Sequence, residues 1–251
     1  RNPSWDNGAT VDAGAVTFGS GSSGVSGLVS PTSSLVGSTL NDRVGSTCVT
    51  ALTNGNYVVC SASWDNGAVA NAGAATFGSG SSGISGVVSP SNSLVGSSTD
   101  DQVGLNLVLA LANGNYVVKS PQWDNGAVSN AGAATFGSGS SGVSGLVSPA
   151  NSLVGSIADN VVGLSATALT NGNYVVSSTS WDNGFLSNVG AATFGSGIGG
   201  ISGVVSPGNS LVGTRPGDAV GRIVTALSNG NYVVLSAFWD NGTTVNAGAA
   251  T

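Results

Sequence analysis

Apolar residues occur along the chain in short runs of three to five, each stopped by a cluster of Gly, Asn, Ser or Pro, and no run carries a helical period. Runs of this length with such punctuation predict β-strands joined by turns. In one stretch the predicted strands are Val49–Leu52, Tyr57–Ser61, Gly73–Phe77 and Asn92–Ser97. They do not alternate cleanly. Tyr57-Val58-Val59 is apolar on both faces, and Gly73-Ala74-Ala75-Thr76 is built of small residues. Strands of this kind need cover on both sides, and small residues permit close approach.

The pattern recurs. The tetrapeptide WDNG stands at residues 5–8, 64–67, 123–126, 181–184 and 239–242, spacings of 59, 59, 58 and 58 residues. Residues 1–251 therefore read as one tandem-repeat domain of four unit-lengths plus a partial fifth, expected to belong to a longer array. One four-stranded unit cannot bury both its faces, so neighbouring units must pack face to face. The expected fold is all-β, a β-propeller of four-stranded blades. A parallel β-solenoid is the alternative, because the unit length divides into three coils of about 20 residues.

Within each unit, Asn-Gly at 54–55, 113–114, 171–172 and 229–230 predicts a hairpin. Cys48 and Cys60 flank the first of these turns, and the matching pairs are Leu107 with Lys119, Ser165 with Ser177 and Ile223 with Leu235. A two-residue turn would set Cys60 opposite Val49. A five-residue connection, Leu52–Asn56, pairs Ala51 with Tyr57 and Cys48 with Cys60. Chemical type changes together across most of these pairs, which favours the second register and a disulfide in an oxidising compartment. Two buried thiols are the alternative.

The string VGSTCVTALTNGNYVVCSASWDNGAVANAGAATFG resembles the FG-GAP blade of integrin-type propellers, with Val44-Gly45 in place of the FG pair and Lys119-Ser120-Pro121 nearest the GAP corner. The resemblance implies a propeller. The calcium-binding blades of that family carry an Asp-rich hairpin loop, whereas Leu52-Thr53-Asn54-Gly55-Asn56-Tyr57 has no carboxylate, so calcium is not implied there. The wording NGNYVV…WDNG…NAGA…TFGSG…GVSG…NSLVG is also similar to the repeats of large secreted bacterial adhesins of the filamentous-haemagglutinin type. That likeness implies an exported, cell-surface protein.

Composition narrows the chemistry. The chain has no His, no Met and no Glu, and its five basic residues are Arg1, Arg43, Lys119, Arg215 and Arg222. Neutral-pH acid–base catalysis usually rests on His or a shifted carboxylate, so no enzyme and no cofactor are expected. A net charge of −6 opposes binding to nucleic acid or to an anionic membrane. No apolar run is long enough to span a bilayer, and a secretion signal would lie outside residues 1–251. Only 6% of residues are charged, against about 25% in ordinary domains; Ser, Thr and Asn must supply the polar surface.

The recurring WDNG is the leading candidate for binding. Trp5, Asp6 and Asn7, then Trp64, Asp65 and Asn66, Trp123, Asp124 and Asn125, Trp181, Asp182 and Asn183, and Trp239, Asp240 and Asn241 each offer a flat apolar face, an acceptor and an amide. Five such sets would suit a multivalent glycan site. The structural reading makes Asp-Asn-Gly a turn and the Trp a seam filler with its N–H satisfied by backbone. Asp42, Asp101 and Asp218 align before the Val-Gly corner, with Asn160 in the same place in the third copy. One carboxylate per unit is thin for Ca²⁺, which takes six to eight oxygens, so no metal is expected there. A turn cap that Asn160 fills equally well accounts for the pattern. The sequence therefore predicts a non-enzymatic extracellular module that binds a glycan or a host or surface protein, with a lectin and a passive stalk as alternatives.

Overall fold

The computed structural model describes residues 1–251. All regular elements are strands, arranged in five successive sheets of three, five, five, four and three strands. There is no helix, and hence none long and apolar enough to cross a membrane.

The second unit shows the plan. Its strands Cys48–Ala51, Tyr57–Ser61, Ala74–Gly78 and Ser93–Val95 lie side by side in chain order, each antiparallel to the next. These are the four predicted strands, displaced by a residue or two at their ends. A fifth, unpredicted strand completes the sheet: Gly145–Leu146 arrives from the third unit and pairs in parallel with Leu94 and Val95. The exchange recurs. Gly86–Val87 of the second unit joins Ser34–Val36 of the first, and Gly203–Val204 of the fourth joins Ser152–Val154 of the third. Each exchange covers the edge of one sheet with backbone from its neighbour, so that this row of N–H and C=O groups is not left unpaired.

Successive side chains of a strand point to opposite faces, and here both faces are core. Val59, Ala74 and Val95 face the first unit, where they meet Val16, Leu35 and Val44. Val58, Cys60, Ala75 and Leu94 face the third unit, where they meet Tyr116, Val118, Ala133 and Val154. Two further clusters repeat the arrangement at the next two seams. Small residues serve the close approach: Gly73, at φ +73°, bridges to Val103, and any Cβ would collide with the Val103 backbone.

No cluster, strand pairing or hydrogen bond joins the first unit to the fifth. The ring closure expected of a propeller is therefore not seen within residues 1–251. The parallel coils of a solenoid are not formed either, because parallel pairing is confined to the two-residue exchanged strands and a few isolated bridges. Stacked and ring-closed blades share the same face-to-face packing. What separates them is the angle between successive sheets, on which a pattern of apolar positions is silent.

The Asn-Gly hairpin turns on three residues. Leu52 N–H donates to Asn56 O at 2.8 Å and Gly55 N–H to Leu52 O at 3.1 Å. Of the Asn-Gly pair only Gly55 has positive φ, +87°. This is a type I turn followed by a left-handed Gly, rather than a two-residue turn with both residues left-handed. The longer connection sets Cys48 opposite Cys60, with Cα atoms 4.8 Å apart, and the two are joined as a disulfide. Titration of the unfolded, unreduced protein should find no free thiol. Reduction should destabilise by no more than about 3 kcal/mol, the chain-entropy value for a loop of this size, because the hairpin already restrains the loop. Two titrating thiols would contradict the bond.

Candidate functional site

The WDNG segments form the same device in all five copies. In the second, Asn66 and Val69 exchange backbone hydrogen bonds of 2.9 and 3.1 Å around Gly67-Ala68. Gly67 has φ +63° and Ala68 is not left-handed, the sign pattern of a type II′ turn. The Asp65 carboxylate accepts from Asn71 N–H at 2.8 Å, which closes the loop. Asp6, Asp124, Asp182 and Asp240 accept from Asp12, Asn130, Asn188 and Asn246 in the same way. Asn7, Asn66 and Asn125 donate their amides to the carbonyls of Gly37, Gly96 and Gly155. Asn183 and Asn241 make no matching bond.

The tryptophans point inward. Trp64, Trp123 and Trp181 are only 3, 2 and 3% exposed and sit in the clusters that join successive units. A sugar needs an open aromatic face, so these three cannot serve as platforms, and the glycan reading of WDNG is corrected for them. Trp5 and Trp239, near the two ends, are partly exposed. The expectation that backbone satisfies the indole is also corrected. The Nε1 atoms of Trp64, Trp123 and Trp181 are buried without a partner. The area these rings bury offsets one unmade hydrogen bond.

The aligned carboxylates are clamps between units. Asp101 is fully buried; one of its oxygens accepts from Ser97 and Ser98 N–H, each at 2.7 Å, and the other from Asp124 N–H at 2.8 Å. Asp42 holds Ser38, Thr39 and Asp65, and Asp218 holds Thr214, Arg215 and Asp240. Each clamp thus ties the last turn of one unit to the WDNG turn of the next. Three N–H donors around a carboxylate suit an anion and repel a cation, and no group of three or more acidic or cysteine side chains is placed to hold a metal.

Asn160 does not fill the position equally well. Its carbonyl accepts only from Ile157 N–H, at 3.4 Å, and its buried Nδ2 has no partner. An amide presents two donors where the clamp needs acceptors.

Burial pushes the carboxyls of Asp42 and Asp101 above the ordinary value of 3.8, with the N–H bonds opposing. A carboxyl whose value is raised by folding binds its proton more readily in the folded state, so its contribution to stability falls as pH rises through that window. The melting-temperature difference between the protein and its Asp42→Asn, Asp101→Asn double variant should therefore stay level or grow as pH is lowered from 7 toward 4; a difference that shrinks steeply over that range would show that the N–H bonds outweigh burial at these two carboxyls. The Tyr174 phenol is pushed up to about 12 by burial, with the Ile201 backbone opposing.

A second stitch, not read from the sequence, runs through the hairpin loops. The Nδ2 atoms of Asn54 and Asn56 both donate to Gly139 O of the third unit at 2.7 Å, and those of Asn113 and Asn115 donate to Gly197 O of the fourth. The Asn-Gly-Asn triplet is thus a tie between units as well as a turn. Its recurrence was the available signal, but its partner lies more than 80 residues away.

No curated protein matches the chain. One repeat family does, over residues 1–46, 51–105, 110–164, 168–222 and 226–251, so that every unit of the stack is one copy of it, entire or partial. The chain belongs to the family described as a repeat of unknown function, DUF5650.

Proposed function

We propose that this chain is a non-catalytic structural array from an exported, extracellular surface protein, in which the stacked units set a distance and present their loops. The observation that carries the reading is where the recurring polar groups go. The buried Asp clamps, the WDNG carboxylates and the loop asparagines of the second and third units are engaged in closing turns or tying unit to unit. A repeated ligand site would leave such groups free. The disulfide suits an oxidising compartment. The repeat wording, similar to that of filamentous-haemagglutinin-type adhesins, and the FG-GAP-like blade both support a surface role.

Two finer readings separate by shape. Face-packed sheets lie about 10 Å apart, so a rod should lengthen by about that much for each unit added, whereas a propeller stops growing once its last blade meets its first. Small-angle scattering from this chain and from versions carrying two and four further internal units decides between them. A maximum dimension that stops rising would reject the spacer and favour the closed propeller. The lectin reading rests on the partly exposed Trp5 and Trp239, and loss of binding on a glycan array after their replacement by Ala would favour it.

A further inference from the structure

The seam between the fourth and fifth units departs from the others at several positions, and the departures meet in one cleft. The cleft has a volume of about 600 Å³, and its walls include Ser165, Ser177, Asn188, Gly217, Arg222 and Phe238. Ser165 and Ser177 face each other across their hairpin as Cys48 and Cys60 do in the second unit. The cysteines fill their seam, whereas the serines leave room and add hydroxyls. Asn71 and Asn130 donate their amides to the carboxylates of Asp100 and Asp159, both at 2.9 Å. The matching residues of the fourth unit are Asn188 and Gly217, so this amide has lost its acceptor. Arg222 and Phe238 replace Leu164 and Ser180 of the preceding unit.

The guanidinium carbon of Arg222 lies 4.6 Å above the centre of the Phe238 ring, which steadies the cation at the cleft. Arg222 makes no ion pair; the single ion pair of the molecule joins Arg43 to Asp12. No carboxylate lines the cleft. The nearest acid in sequence, Asp218, has both oxygens engaged by backbone N–H groups. A guanidinium laid on an aromatic ring and an exposed amide without its usual acceptor, set among hydroxyls, suit a carboxylate from outside.

We propose that this cleft binds an acidic sugar of the uronate class, whose carboxylate takes the place held by Asp100 in the second unit and Asp159 in the third. Arg222 and Asn188 would hold the carboxylate, and Ser165 and Ser177 would hydrogen-bond the ring hydroxyls. The inference goes beyond the structural reading of the array and stands whether the stack is a rod or a ring.

Calorimetric titration of the 251-residue protein with galacturonate, galactose and acetate tests it. Galacturonate should bind with a dissociation constant of about a millimolar, and galactose and acetate about tenfold or more weaker. Arg222→Gln should weaken galacturonate about tenfold. Gly217→Asp is the sharper variant. It restores the usual partner of Asn188, and its backbone is tolerated because Asp100 and Asp159 adopt φ of +64° and +62° where Gly217 has +84°. It should abolish binding while keeping the parental melting temperature. Galactose binding as tightly as galacturonate, no saturable binding of galacturonate, or full affinity in folded Gly217→Asp would each overturn the proposal. Acetate binding as tightly as galacturonate would overturn its sugar part.

Discussion

Replacing Asp101 by Ala should destabilise the array by roughly 2–4 kcal/mol, while Asn160→Asp should stabilise it by about 1–2 kcal/mol. The first change removes three charge-assisted hydrogen bonds at once and leaves the N–H groups of Ser97, Ser98 and Asp124 without their acceptor. Those donors are partly reached by solvent, so water recovers some of the loss and the upper end of the range is a ceiling. The second change removes a buried amide nitrogen that has no partner and supplies two acceptor oxygens where the other three clamps have them. Desolvating the new charge subtracts from the gain, which is why it is set below the loss. Asp101→Asn should fall between the two, since it reproduces the state of Asn160. Denaturant unfolding of the three variants measures all of this. An Asp101→Ala variant within about 0.5 kcal/mol of the parent, or an Asn160→Asp variant less stable than the parent, would sink the clamp assignment.

Trp123→Ala should cost roughly 3–5 kcal/mol, the range for truncating a large buried aromatic. Trp123 is packed among residues of two units, with Tyr116 and Val118 from its own and Val58 and Cys60 from the preceding one. The cavity therefore opens at a seam, and a repeat stack transmits cooperativity through its seams. The unfolding transition should accordingly broaden or split as well as shift. Trp123→Phe separates packing from polarity. Because the indole N–H already lacks a partner, Phe loses volume and no hydrogen bond, and should cost less than half as much as Ala. A Phe variant as damaging as Ala would mean that the N–H matters.

These effects sort by how far apart in the chain the partners are. The runs around Tyr57–Ser61 and Ala74–Gly78 announce strands because a strand's character is set within five residues. Two apolar faces demand sheets covered on both sides wherever those sheets end up. The hairpin register was legible from paired substitutions, since Cys48 and Cys60, or Ser165 and Ser177, can change together only where they meet. The turn type was less legible: Asn-Gly serves equally in a two-residue turn and in the three-residue one observed here.

The exchanged strand Gly145–Leu146 had no signal of its own, because two residues carry no period and their partners Leu94 and Val95 lie some fifty residues earlier. The orientation of Trp123 was likewise undetermined, since WDNG makes the same turn whether its indole points to solvent or to a neighbouring unit. By itself the sequence determined an all-β tandem array, its unit, its hairpin pairing and the absence of His- or Glu-based chemistry, all of which follow from local pattern and composition. Only the tertiary structure decided that successive units pack sheet on sheet and exchange short strands, that Trp64, Trp123 and Trp181 are buried, that Asp101 ties units together where Asn160 fails to, and that Arg222, Asn188 and Phe238 share one cleft. Each of those depends on the distance and angle between neighbouring sheets, which no single stretch of the chain encodes.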